Sequence, residues 1–268
     1  MQRLASDAKR FKKKPDQLRP FLTISKPLKI YILSPHIDDA AFGLGLTISK
    51  CADRQIPVTI INCFTVTKWT AVSVETKEVN AVSRLRKNED EAFYKAFNGK
   101  INIINLDLLD APLRNGYIFQ NQPFQQNELE LIEELKKLLQ LHVDGLLFCP
   151  LGIGNHIDHA ICLEAVAQLY KNLNVLFYED LPYAYRITTT ELTTHIKDAE
   201  ERLQVEFINY TEGLRNCKID KEQAICIYKS QMNNEICSEI VEHMNALSGE
   251  RLWGEAKVIE ELKRMLEG

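Results

Sequence analysis

The stretch Ile30-Tyr31-Ile32-Leu33-Ser34-Pro35-His36-Ile37-Asp38-Asp39 decides the reading of this chain. A short apolar run ends in one imidazole and two carboxylates, and the small segment Ala40-Ala41-Phe42-Gly43-Leu44-Gly45-Leu46 follows. The run reads as a buried strand. Three polar groups crowded at its end cost desolvation energy unless a metal, a substrate or a hydrogen-bond network uses them. Helix capping by Asp38 or Asp39 is the bland alternative. A cap needs one Asp, however, and explains neither His36 nor the second carboxylate.

A second cluster repeats the pattern. Leu146-Leu147-Phe148-Cys149 is apolar, and Asn155-His156-Ile157-Asp158-His159 soon follows with two imidazoles and a carboxylate. In an open parallel sheet, functional groups gather outside the carboxyl ends of the strands, where the strand order reverses. If the strands before the two clusters are neighbours, both loops share one crevice.

Outward from these motifs, strands and helices alternate. Residues 39–54 read as a helix whose glycines allow close packing, and Val58 to Phe64 as a strand covered on both faces. A long helix spans about Glu78 to Phe97, and a strand spans Ile101 to Leu106. The Asn- and Gln-rich segment 115–127 is a long loop of the kind that forms lids. Glu128 to His142 reads as an amphipathic helix, Gly145 to Cys149 as a strand, His156 to Lys171 as a helix and Asn174 to Tyr178 as a fifth strand. The fold class is therefore α/β, a Rossmann-like doubly wound sheet with a parallel core in the order 3-2-1-4-5. Alternation of Leu203, Val205 and Phe207 within 200–210 predicts an added edge strand, and Lys221 to Leu247 and Trp253 to Leu266 read as helices.

Composition sets bounds. The 268 residues, 45% hydrophobic, suit one domain, 30–268, preceded by a basic arm, 1–29. That arm holds nine Lys/Arg against two Asp, a net of +7, within a chain of net charge −4, so the body is acidic. A nucleic-acid partner is not expected, and no apolar stretch is long enough for a membrane span. The arm lacks the apolar face of a membrane helix and reads as solvated. No apolar h-region follows its charges, so it does not read as a signal peptide. The seven cysteines form no C-x-x-C pair, which points to reduced thiols and a cytoplasmic location and argues against a Cys-ligated zinc, so that any metal must be held by His and Asp.

The pair of motifs, H-x-D-D at 36–39 and H-x-D-H at 156–159, resembles the LmbE-like or PIG-L family of zinc-dependent N-acetyl sugar deacetylases. The usual first motif of that family reads H-P-D-D-E, so Ile37 and Ala40 are departures. The resemblance implies a hydrolase that removes the N-acetyl group from an N-acetylglucosamine-type sugar or sugar conjugate, with a metal-bound water as nucleophile. It implies His36, Asp39 and His159 as ligands of Zn2+ or another divalent ion, and Asp38 as general base. Three protein ligands with an open fourth position are the pattern of a catalytic zinc site. His156 would polarise the amide oxygen or protonate the leaving amine, and Asp158 would cap or orient. Arg86, Asp110, Tyr178 and Glu179 match substrate-side positions. A metallohydrolase of another amide or a phosphoester, or a non-catalytic sugar-binding relative, remain the alternatives, and a homo-oligomer is left open.

Overall fold

The computed structural model describes residues 29–213 and 220–267; the basic arm before residue 29 and Cys217 lie outside the described residues. Among the described residues seven strands form one sheet, in the order β3-β2-β1-β4-β5-β7-β6. Its parallel part consists of β1 (Ile30–Ser34), β2 (Val58–Asn62), β3 (Ile101–Asn105), β4 (Leu146–Pro150) and β5 (Asn174–Tyr178). The expected order 3-2-1-4-5 is the order observed. β1 and β4 are buried along their whole length, as near-continuous apolar runs between two helical layers should be. β3 is different: it forms one edge of the sheet, and three of its five residues are exposed.

The helices that return the chain across the sheet are α1 (Asp39–Asp53), α2 (Val79–Ala96), the four-residue α3 (Ala111–Arg114), α4 (Gln126–His142) and α5 (Ile157–Leu169). Gly43 lets α1 lie against the sheet, because a Cβ there would sit 2.6 Å from a ring carbon of Tyr178. α1 is kinked at Leu44, whose φ of −134° is not helical. Just past the kink, the buried carboxylate of Glu250 accepts the N–H groups of Leu46 and Thr47, at 2.9 and 2.8 Å. A residue two hundred positions away thus caps the second half of α1.

Past residue 180 the structure departs from the sequence reading. Helices α6 (Tyr183–Arg186) and α7 (Thr189–Leu203) follow β5, so Leu203 ends a helix and does not belong to a strand. The edge strand exists but lies later, as β6 (Ile208–Gly213). The single helix expected over Lys221 to Leu247 is two, α8 (Lys221–Ile225) and α9 (Asn234–Leu247), separated by a loop that Glu89 of α2 grips through the Ser230 N–H and hydroxyl, both at 2.7 Å. Trp253, expected in a helix, belongs to strand β7 (Gly249–Gly254), which pairs antiparallel with both β5 and β6. Only then does α10 (Ala256–Glu267) begin. The 115–127 loop is not loose: Gln120 N–H donates to Asn155 O and Ile157 N–H to Ile118 O, each at 2.8 Å, which pins it to the second motif.

Candidate active site

β1 and β4 are hydrogen-bonded neighbours, with Ile32 opposite Phe148, so the loops that leave their carboxyl ends meet. The β1 loop is shaped by Ser34, whose hydroxyl donates to His36 O and accepts from the Ala40 N–H. Asp38 stands at the N-cap of α1 yet makes no capping bond. Its Oδ1 instead accepts from Arg86 Nη2 of α2 at 2.5 Å. Asp39 turns the other way, and its Oδ2 accepts the His36 backbone N–H at 2.7 Å. Neither carboxylate is merely a helix cap.

Three atoms converge where the two motifs meet. His36 Nδ1 is 3.3 Å from Asp39 Oδ2, His159 Nε2 is 3.3 Å from the same oxygen, and the two ring nitrogens are 3.3 Å apart. Behind each imidazole stands a buried carboxylate. His36 Nε2 lies 3.0 Å from Asp158 Oδ2, and His159 Nδ1 lies 2.5 Å from Asp180 Oδ1. Asp158 is itself held by the Ala111 N–H and by Arg114 Nη2, and Asp180 by the Ile153 N–H. Burial disfavours charge on both imidazoles, but the surrounding carboxylates outweigh it, raising His36 to about 9 and His159 well above its ordinary value. The cluster is built to hold positive charge.

His156 caps α5, its Nδ1 accepting the Asp158 N–H at 3.2 Å. Burial and the two neighbouring imidazoles push its pKa strongly down, so it is neutral at ordinary pH. With Nδ1 an acceptor, the proton of the neutral ring sits on Nε2.

These groups floor a crevice of about 310 Å³. Arg86 and Asp110 line it; Asp110 takes the Thr67 hydroxyl and caps α3 through the Leu113 N–H, and burial raises its pKa. Tyr178 and Glu179, read from the sequence as substrate contacts, do not line it. Tyr178 is fully buried and donates its hydroxyl to Leu33 O, while Glu179 is tied to His243, Arg251 and Trp253 at 2.6–2.8 Å. Both belong to the framework. Conversely, Asp180, Trp69 and Phe119 are part of the site or its walls without having been singled out. Asp180 had a usable signal, since it too follows the carboxyl end of a parallel strand.

A reversed strand order with polar clusters at its switch point defines a Rossmann-like protein with its candidate site on the βα loops. More specifically, residues 31–170 match the family described as PIG-L, GlcNAc-PI de-N-acetylase, and this chain belongs to that family. It is similar to 2'-N-acetylparomamine deacetylase of Streptomyces fradiae, 23% identical over 219 residues that cover 79% of this chain and 76% of that protein. Among solved structures it shares its fold with teicoplanin deacetylase (TM-score 0.63, 20% identity, 84% of this chain and 96% of that one). The A40926 pseudoaglycone deacetylase also shares it (TM-score 0.59, 19% identity, 85% and 96%). The zinc-inhibited form of teicoplanin deacetylase does so at a TM-score of 0.62, with 20% identity over 84% and 97% of the two chains.

Proposed function

We propose that this chain is a metal-dependent amide hydrolase that removes the N-acetyl group from an N-acetylglucosamine-type sugar or sugar conjugate. The observation that carries the metal is the triangle of His36 Nδ1, Asp39 Oδ2 and His159 Nε2, with all three edges 3.3 Å. Tetrahedral zinc, with bonds of about 2.0–2.1 Å, separates neighbouring ligand atoms by about 3.3 Å. Family membership and the curated deacetylase relative support the acetamide as the bond cleaved.

A second grouping of nitrogens, from His36, His156 and His159, lies within 4.8 Å of one another. Asp39 is the better third ligand. His156 spends its Nδ1 lone pair on the Asp158 N–H and carries its proton on Nε2, so it has no lone pair left for a cation. His36 and His159 can do the reverse: each can donate its outer N–H to Asp158 or Asp180, and a metal replacing the inner proton would find a lone pair turned inward.

A divalent ion held by His36, Asp39 and His159 would supply Lewis acidity and lower the pKa of water to about 7. The chain supplies the rest. Arg86 fixes one oxygen of Asp38, which leaves the other to take the proton of the attacking water. The Nε2–H of His156 donates to the amide oxygen and steadies the charge that develops on it. Asp110, at the crevice wall, accepts from a sugar hydroxyl.

Acetate release from N-acetylglucosamine conjugates, by protein purified without a histidine tag and assayed for metal, tests this reading. Acetate formed only with metal present is the expected result. Metal-dependent release of phosphate from phosphoesters, with no acetate, would move the chain to another hydrolase class. Binding of the sugars with neither product would make it a non-catalytic relative.

A further inference from the structure

The crevice has a polar floor and apolar walls. Above the histidine and aspartate cluster stand Trp69, Phe119, Ile118, Tyr183, Pro112 and Ile236. Trp69 and Phe119 are 54% and 53% exposed, although large aromatic side chains gain most when covered. They come from separate parts of the chain. Trp69 follows β2, and its carbonyl accepts from Gln231 in the loop after α8. Phe119 sits in the 115–127 loop, bridged to His156. Each loop is anchored by main-chain bonds, Ala71 N–H to Ser230 O at 2.9 Å and Gln120 N–H to Asn155 O at 2.8 Å, so the aromatic surface is fixed beside the reacting centre.

Charge points the same way. The two arginines that line the crevice among the described residues are both paired. Arg86 pairs with Asp38, and Arg186 forks onto Glu239 at 2.9 and 2.7 Å. Carboxylates are plentiful by contrast: Asp38, Asp39 and Asp110 all face the space. A phosphate on the aglycone would find neither arginine unpaired, whereas an uncharged apolar group needs no ionic partner and would cover the exposed rings.

We propose that the substrate is an N-acetylated amino sugar whose anomeric substituent is an uncharged, apolar aglycone seated on Trp69 and Phe119. The inference rests on the deacetylase reading above and specifies the substrate of the same site. It excludes phosphorylated and nucleotide-linked sugars from the preferred class.

The test compares three substrates with one acetamide: free N-acetylglucosamine, its phenyl or hexyl glycoside, and its 1-phosphate. For the metal-loaded full chain, kcat/KM for the glycosides is expected to exceed that for the free sugar at least tenfold, and the 1-phosphate to fall no higher than the free sugar. Trp69→Ala and Phe119→Ala should each bring the glycoside-to-free-sugar ratio down toward one, chiefly through KM for the glycoside. Equal rates for glycoside and free sugar, a preference for the 1-phosphate, or a ratio untouched by both variants would overturn the proposal. If none of the three yields acetate, the deacetylase reading fails instead. Calorimetric titration with the same glycosides then still decides the aglycone question, since tighter binding of the hexyl glycoside than of the free sugar, lost in Trp69→Ala, is required.

Discussion

Asp180 Oδ1 lies 2.5 Å from His159 Nδ1, while the other oxygen of the same carboxylate accepts the Ile153 N–H at 2.9 Å. The ring of His159 is therefore fixed by a group that is itself fixed, at the end of the strand next to the one that precedes His159. Partners of this kind are worth about 10–100-fold in metal affinity. Asp180→Asn is expected to weaken metal binding by about that factor, read by competition with a chromogenic chelator, without unfolding the chain. Wild-type affinity in this variant would reduce Asp180 to a packing group.

Asp38 and Asp39 are adjacent yet diverge, one toward Arg86 and the other toward the two histidines. Asp38→Asn should keep its metal and lose about 10²-fold or more in turnover, the worth of a positioned general base. Asp39→Asn should lose metal. Exchange of these two outcomes would mean that the roles are reversed, and near-normal turnover in metal-loaded Asp38→Asn would sink the mechanism.

Glu250 and Lys221 form an ion pair with both side chains almost fully buried, and Glu250 also accepts the Leu46 and Thr47 N–H groups and the Thr47 hydroxyl. Removing one partner strands the other as a buried charge, a loss of about 3–5 kcal/mol. Glu250→Ala should lower stability by that amount in denaturant titrations and release the second half of α1. A loss below 1 kcal/mol would show that water reaches the pair.

Asp90, held by Asn62 Nδ2 and the Tyr228 hydroxyl, is pushed up to about 7 by burial. An unfolded aspartate titrates near 4. Between about pH 4 and 7 the folded chain therefore binds more protons at this group than the unfolded chain, so its contribution to stability falls as pH rises and is constant above the folded value. Asp90→Asn should lose less stability than wild type between pH 5 and pH 8, measured as the shift in denaturation midpoint. Identical shifts in both proteins would show that Asp90 is charged throughout.

How much of this was legible depended on how local the signal was. The β1 to β5 core showed in the sequence because strands buried on both faces are apolar runs, and the helices between them carry their own periodicity. β7 escaped. Its buried positions include Gly249, Glu250 and Gly254, so it has no apolar alternation, and Glu250 is tolerated inside only because Lys221 and the kink of α1 meet it there. The break between α8 and α9 was equally hidden, since the loop is held by Glu89 from a distant helix.

The sequence by itself determined that two polar clusters end two buried strands, a placement too costly in desolvation to be idle, and that those strands belong to a parallel sheet. Tertiary structure alone decided which atoms meet. Neighbouring carboxylates at 38 and 39 look alike in sequence and are separated only by Arg86 and the facing histidines. Tyr178, Glu179 and Asp180 are consecutive, yet Asp180 alone reaches His159, because successive side chains leaving a strand point in opposite directions and the neighbouring elements already occupy Tyr178 and Glu179. The aromatic walls at Trp69 and Phe119 likewise exist only once loops far apart in the chain close over one floor.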